Sequence, residues 1–139
     1  MHCIGFARTM LEAAGEFYPF GAALSPSGQI AAVGAHTGEE RPAPQELYKL
    51  LAEGFAAGAR NGEYAATALA ANVDIPAEYA PPSPDGLRVH LESAGYSRFV
   101  YVPYRVKKSG VFRTRRAAEF AEPFAVEVPP QAFRADSRA

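Results

Sequence analysis

The segment 17–36 constrains the fold more than any other part of this chain. It consists of two apolar runs that flank Ser25-Pro26-Ser27-Gly28, four residue types that favour a turn. Apolar runs joined by a short turn predict a β-hairpin, here with strands near 18–24 and 29–35. A hairpin so rich in Ala and Gly must pack against another layer, and a helical pattern follows it in the chain. The segment therefore predicts a sheet covered by helices.

Two segments, 4–16 and 44–60, repeat apolar residues at helical spacing. The first carries Ile4, Ala7, Leu11 and Ala14, and the second carries one apolar stripe of Leu47, Leu50, Leu51, Phe55 and Gly58. Pro44 suits the first turn of a helix, and Asn61-Gly62 suits its end. Both segments are therefore expected to be helices.

The rest of the chain is expected to form strands. Residues 64–75 are mostly small and apolar, and their Ala content permits either a helix or a strand. We favour a strand because the residues before Pro76 read as extended, and the lack of alternation is typical of a central strand covered on both faces. Residues 86–92 alternate, which places Leu87, Val89 and Leu91 inward and Arg88, His90 and Glu92 outward. Residues 96–106 form a long strand in which Pro103 predicts an edge position or a bulge. Short strands are expected at 111–115 and 124–128.

This order predicts an α+β fold, with a mainly antiparallel sheet and two helices packed on one side. At 139 residues the chain has the length of one ordinary domain. We assign residues 1–128 to a single α+β domain and residues 129–139 to a loose C-terminal tail that begins at Pro129-Pro130.

Composition limits the class of protein. No apolar run approaches the roughly 20 residues of a membrane span, and Glu12 and Glu16 interrupt any signal-peptide core. The single cysteine, Cys3, permits no intrachain disulfide. A cytoplasmic protein that makes no membrane contact is the expectation from these features.

The net charge of −1 conceals a basic segment at 105–116. This segment has six cationic side chains and no acid: Arg105, Lys107, Lys108, Arg113, Arg115 and Arg116. Aromatic side chains such as Tyr101 and Tyr104 precede it, and aromatics among cations can stack on bases and hold phosphates. We take Tyr101, Tyr104, Arg105, Arg113, Arg115 and Arg116 as candidate binding residues. Nucleic acid is one possible partner of this segment, and an acidic protein or a second copy of the chain fits the same charges.

His36 is the candidate for acid–base chemistry, because it ends the hairpin close to Glu39 and Glu40. The sequence has no Gly-x-Ser-x-Gly elbow and no glycine-rich phosphate-binding loop. His36 is therefore kept as a candidate site residue for an alternative enzymatic function.

The run Tyr18-Pro-Phe-Gly-Ala-Ala-Leu24, in its hairpin–helix–strand order, resembles the opening of cytidine-deaminase-type domains. Those enzymes need a His-x-Glu or Cys-x-Glu followed by Pro-Cys-x-x-Cys to bind zinc. This chain offers His36-Thr-Gly-Glu39 and no cysteine pair, so we expect no metal site and no deaminase activity.

The wider pattern resembles a group of small uncharacterised bacterial proteins. It runs from Phe17-Tyr-Pro-Phe-Gly21 to Val102-Pro-Tyr-Arg105 and Glu122-Pro-Phe124. This resemblance implies no activity. We predict a non-enzymatic binding or protein-interaction module without a cofactor, acting on an unknown protein partner or by self-association. The alternatives are a small enzyme with a site near His36 and Glu39, and a nucleic-acid-binding module that uses segment 105–116.

Overall fold

The computed structural model describes residues 18–34, 43–109 and 115–133, with the backbone alone at 107–109 and 115–118. These residues form seven strands and one α-helix. In chain order they are β1 (Phe20–Leu24), β2 (Ile30–Val33), α1 (Pro44–Arg60), β3 (Ala66–Asp74), β4 (Asp85–Ser93), β5 (Tyr96–Ser109), β6 (Arg115–Phe120) and β7 (Phe124–Glu127). A single 3₁₀ turn, Ala77–Tyr79, lies between β3 and β4.

All seven strands belong to one antiparallel sheet. Their order is β2-β1-β3-β4-β5-β6, and β7 also pairs with β5. The predicted hairpin is present as β1 and β2, with Gly21 opposite Val33 and Leu24 opposite Ile30. The predicted central strand is β3, which lies between β1 and β4. The described part of the chain is therefore an α+β arrangement built mainly from antiparallel strands.

The expectation of two helices packed on one side of the sheet is wrong, because α1 is the single α-helix among the described residues. The other predicted helix, 4–16, lies outside those residues. The physical reason is that other segments share the face of the sheet that α1 covers. The helix itself lies over β1 and β3. Beyond it, residues 129–133 and the 3₁₀ turn contact the same face over β4, β5 and β7.

The helix α1 forms where its sequence predicts. Pro44 occupies the first turn, and Gly62 takes a positive φ of 80° just after the helix ends. Its buried stripe consists of Leu47, Leu51, Phe55 and Gly58. Phe55 lies close to the backbone of Gly21 in β1, so the missing side chain at Gly21 is what admits the ring.

Each face of the sheet has its own core. Under α1 the core is formed by Ala23, Leu51, Phe55, Leu69 and Ala132. On the opposite face it is formed by Phe20, Ala70, Leu87, Val89, Val102 and Tyr104. Burial on both faces explains why β3 lacks alternation over residues 67–71, whose side chains are all buried or half-buried; Asn72 and Asp74 near the end of the strand are exposed.

The sequence-based orientation of β4 is half right. Leu87 and Val89 are buried in the core opposite α1, as predicted. The other set, predicted to face solvent, lies on the α1 face instead: Arg88 is half-buried, and His90 and Glu92 are buried. Alternation identified the two faces of this strand, but both faces are covered.

The sequence predicts either an edge position or a bulge at Pro103. The structure shows a bulge, which lies in the strand opposite Pro103. β6 pairs with β5 as far as Tyr104, and β7 resumes the pairing at Tyr101. Three residues, 121–123, therefore lie opposite two in β5. The carbonyl of Pro103 accepts a bond from the Ala121 N–H at 2.8 Å. Residues 111–114 of the predicted strand 111–115 lie outside the described residues, and Arg115 begins β6.

Candidate functional site

A cluster of polar side chains is buried on the α1 face, between β4 and β5. It consists of Arg88, His90 and Glu92 from β4 and Ser97 from β5, and Ser97 lies opposite Glu92 in the register. His90 and Glu92 are 3% and 5% exposed. Buried polar groups of this kind need partners, because an unpaired one costs about 1–3 kcal/mol.

The Glu92 carboxylate binds the backbone of the segment that follows β7. Its Oε1 accepts bonds from the N–H groups of Gln131 at 2.7 Å and Ala132 at 3.0 Å. Oε2 also accepts from Ala132 at 3.0 Å, and Oε1 is 3.3 Å from the Phe133 nitrogen. One carboxylate thus holds three successive backbone donors, and it fixes residues 131–133 across the sheet.

Hydrogen bonding assigns the tautomer of His90. The Ser97 hydroxyl donates to the Pro129 carbonyl at 3.3 Å, which uses its single hydrogen. The 2.8 Å contact between His90 Nε2 and Ser97 Oγ must then be donated by the imidazole. Burial, together with the nearby Arg88 charge, lowers the pKa of His90 despite the opposing effect of Glu92. His90 is therefore neutral at pH 7, and its 3.7 Å contact with Glu92 Oε2 is not an ion pair.

Ser97, His90 and Glu92 have the residue types of a hydrolase triad, but their geometry is different. In a triad the serine and the acid lie at different ring nitrogens. Here Ser97 Oγ and Glu92 Oε2 both lie nearest Nε2 of His90. Nε2 already carries the hydrogen, so it cannot take one from Ser97. All three residues are buried, and the cluster acts as a structural clamp on residues 129–133.

Arg88 lies between aromatic rings at the other end of the cluster. Its guanidinium carbon is 4.3 Å from the Phe99 ring centre and 5.5 Å from that of Tyr48. Its Nη2 donates to the Tyr48 hydroxyl at 3.1 Å, and its Nε is a buried nitrogen without a hydrogen-bond partner in the described part of the chain. Arg88 therefore ties α1 to β4 and β5 through cation–π contacts.

A cavity of about 590 Å³ opens where α1 ends beside the β4–β5 turn. Its walls come from α1, the turn, the first residues of β5 and the clamped segment that Glu92 holds. Two cations, Arg60 and Arg98, line it together with Tyr96, Glu127 and Phe133. Glu127, the only carboxylate among the described lining residues, makes a 3.1 Å ion pair with Arg98 and is 81% exposed on its side chain. None of the described residues that line this cavity is a histidine.

The sheet edge formed by β2 is exposed and uncharged. Ile30 is 69% exposed, and both alanines that follow it are exposed as well. The Leu24 carbonyl of β1 accepts a hydrogen bond from the Ala65 N–H. The backbone N–H and C=O groups of Leu24 therefore point towards β3, and Leu24 and Ile30 form a pair without hydrogen bonds. Alternation along the ladder then directs the backbone N–H and C=O groups of Ile30 and Ala32 to the outside.

The two candidate tyrosines lie on opposite faces of β5. Tyr101 is buried on the α1 face, where its ring stacks on that of Phe124 and contacts that of Tyr79. The ring centres are 5.3 Å and 5.6 Å apart, respectively. Tyr104 is buried in the opposite core, and its hydroxyl donates to Asn72 Oδ1 at 2.6 Å. Burial raises the pKa of Tyr104 to about 12. Neither ring is presented with Arg105 on one accessible surface.

The candidate cations are spread over several places. Arg105 is exposed and donates to the Pro82 carbonyl at 2.9 Å. Arg115 and Arg116 belong to β6, where they pair in register with Ser109 and Lys108. Arg113 and His36 lie outside the described residues, as do Glu39 and Glu40. A joint site of these residues stays a prediction.

Sequence reasoning missed the clamp and the cavity. The signal for the clamp was present as polar residues at alternate positions, Arg88-x-His90-x-Glu92. By itself this pattern predicts a solvent-facing set, because nothing in the sequence of residues 129–133 indicates that they cross the sheet. The cavity gives no signal in the sequence, because its described lining residues come from three separate parts of the chain, 59–60, 94–98 and 127–133.

Matching against protein-family models, curated proteins and solved structures found no counterpart for this chain. Within the described ranges no helix has the length and apolar character needed to cross a membrane. Nor do those ranges bring three His, Cys, Asp or Glu side chains together where they could hold a metal ion.

Proposed function

We propose that this protein is a non-enzymatic interaction module that self-associates by pairing the β2 strands of two copies. The observation that carries the proposal is the outer edge of β2, which pairs with no strand beyond β1 among the described residues, with Ile30 exposed and no charge in Ile30–Val33. Such an edge presents unpaired backbone groups that a second strand can satisfy.

A contrast between the two edges of the sheet supports β2 as the interface. Proteins protect free edges with bulges, prolines and charged side chains. The edge made by β6 and β7 has all three: the bulge at 121–123, Pro123, and charged residues that include Arg115, Arg116 and Glu127. β2 has none of them, although it is equally a strand at the end of the sheet order.

The direction of the backbone groups defines the pairing. Since Ile30 and Ala32 direct their donors and acceptors outward, an antiparallel pair places Ile30 of one copy opposite Ala32 of the other. The twofold axis of the dimer then passes between the Ala31 residues of the two copies. These two residues lie opposite each other as a pair without hydrogen bonds. Four backbone hydrogen bonds form, and the two Ile30 side chains cover neighbouring alanines.

The strength of this dimer follows from its size. Four hydrogen bonds contribute roughly 0.5–1.5 kcal/mol each, and the apolar area around Ile30 adds to them. Association costs several kcal/mol in lost rotational and translational freedom. We therefore expect a weak, concentration-dependent dimer, dissociating roughly between micromolar and millimolar concentrations.

The cluster geometry supports a non-enzymatic role. A catalytic site would bring a nucleophile or a base together with other polar groups in an open pocket. Among the described residues, His90 is neutral and enclosed, and the cavity near Arg60 is lined by no histidine. The clamp and the cavity both lie on other parts of the sheet than β2.

Sedimentation equilibrium over a wide concentration range tests the proposal. The wild-type protein is expected to show a monomer–dimer equilibrium. Ala32→Pro removes one outward N–H without touching the β1 ladder, so it should give a monomer of wild-type stability. Ile30→Lys should do the same by placing a charge at the edge. Ala57→Lys, on the exposed side of α1, should leave the dimer unchanged.

Two results would refute self-association through β2. One is a wild-type protein that stays monomeric at every concentration. The other is a dimer that persists in both Ala32→Pro and Ile30→Lys, since it must then use a different surface.

A further inference from the structure

We propose that the cavity at the end of α1 binds a small carboxylate that carries an aromatic group. The proposal is independent of the β2 interface, because the cavity adjoins β5 and β7 rather than β1 and β2. Its volume of about 590 Å³ falls within the 300–1,000 Å³ typical of small-molecule sites.

The positive charges of the cavity favour an anion. Arg60 makes no ion pair with any described residue, and Arg98 is paired only with the largely exposed Glu127. Surface pairs of this kind contribute about 0–1 kcal/mol, so a ligand carboxylate can replace Glu127 at little cost. Arg guanidinium groups bind carboxylates through two parallel hydrogen bonds. Among the described lining residues, the two arginines thus give a net positive charge even with Glu127 in place.

The remaining wall favours a flat apolar group. The Arg98 guanidinium lies 4.7 Å from the centre of the Tyr96 ring, and the ring itself is 43% exposed. Phe133 and small apolar residues complete the lining: Ala59, Ala94, Val128, Pro130 and Ala132. An aromatic ring can pack on this surface while its carboxylate reaches an arginine.

The clamp keeps the site in shape. Pro130, Ala132 and Phe133 belong to the segment that Glu92 holds by three backbone hydrogen bonds. The wall opposite α1 is therefore fixed before any ligand arrives, which lowers the entropic cost of binding.

Three probes separate charge from shape: phenylacetate, its neutral analogue phenylacetamide, and inorganic phosphate. Titration of ¹⁵N-labelled protein followed by NMR should show saturable shifts with phenylacetate at residues 94–98 and 127–133. A ligand of this size is expected to bind at roughly millimolar concentration. Phenylacetamide and phosphate should each bind at least about tenfold more weakly, because each lacks one half of the recognised chemistry.

Matched variants locate the charge. Arg60→Gln and Arg98→Gln should each weaken phenylacetate binding, by about tenfold for a lost charge-assisted hydrogen bond. Lys49→Gln, which removes an exposed cation from the other half of α1, should have no effect. Thermal unfolding of each variant separates a binding loss from a stability loss, since Arg60 also lies in the last turn of the helix.

The proposal is overturned if phenylacetate causes no saturable shift in the wild-type protein. It is also overturned if phenylacetamide or phosphate binds as tightly, or if both arginine variants bind phenylacetate with wild-type affinity while remaining folded. None of these outcomes bears on the β2 interface, which sedimentation measures separately.

Discussion

Both carboxylate oxygens of Glu92 lie 3.0 Å from the backbone nitrogen of Ala132. The two residues are 40 positions apart in the chain, and both are buried. A single side chain of β4 thus closes the sheet with the residues that follow β7, and that closure forms one wall of the cavity.

Glu92→Gln should release the clamped segment. A glutamine keeps one acceptor oxygen but replaces the other with an amide NH2 group, a donor that repels the Ala132 N–H. We expect the free energy of unfolding to fall by about 1–3 kcal/mol, the range for hydrogen bonds to a charged group. Amide exchange at residues 131–133 should rise in the same variant. Glu53→Gln on the exposed side of α1 is the control; equal protection of residues 131–133 in both variants would refute the clamp.

Acid should weaken the fold through His90. Its pKa is lowered in the folded protein, so the unfolded chain binds the proton more readily. The stability that His90 contributes is therefore present above about pH 6.5, the pKa of the unfolded side chain. It is lost as the pH falls through the folded pKa. Urea unfolding at pH 7.5 and pH 5.5 should show a smaller loss on acidification in His90→Gln than in the wild-type protein, and an equal loss would contradict the assignment.

Gly21→Ala should destabilise the packing of α1 on the sheet. The added Cβ would lie 2.5 Å from Cζ of Phe55, a ring that is buried under the helix. We expect a cost of about 1–3 kcal/mol for this overpacking. Phe55→Leu replaces the ring with a smaller side chain. In that background, Gly21→Ala should lower the free energy of unfolding less than it does in the wild-type protein. Denaturant unfolding of the double-mutant cycle checks this, and strict additivity would show that the two residues do not compete for space.

Tyr104→Phe should remove the bond to Asn72 and change the response to alkali. The loss of this hydrogen bond is expected to cost about 1 kcal/mol at neutral pH. The folded pKa of Tyr104 is raised to about 12, above the ordinary value of 10.0, so its stabilising effect is present below pH 10 and lost as the pH rises towards 12. Unfolding measured at pH 9 and pH 11 should show a shallower alkaline loss in the variant. A variant as alkali-sensitive as the wild-type protein would contradict this.

The sequence predicted local structure better than it predicted which faces are covered. Turn residues at Ser25–Gly28 and the apolar stripe of α1 act over short distances, so the hairpin and the helix were found with their boundaries nearly correct. The burial of His90 depends on residues about 40 positions away, and no local pattern reports such a contact. The polar alternation in β4 was visible, but its meaning depended on what lies above it.

The candidate site was harder to predict for the same reason. Tyr101 and Tyr104 are close in the sequence and were grouped with the cations at 105–116. A strand directs side chains an odd number of positions apart to opposite faces, and the structure places these two rings in separate cores. The exposed edge at β2 was not recognised, because composition does not reveal which strand ends the sheet order.

Disulfide trapping tests the β2 interface most directly. In the proposed pairing, Ala31 lies opposite its own copy at a Cα separation of about 4.5 Å, which a disulfide can span. Ala31→Cys on a Cys3→Ser background should therefore form a covalent dimer under mild oxidation. Ala57→Cys on the same background is the exposed control and should form little. Trapping at Ala31 that is no faster than at Ala57 would contradict the account.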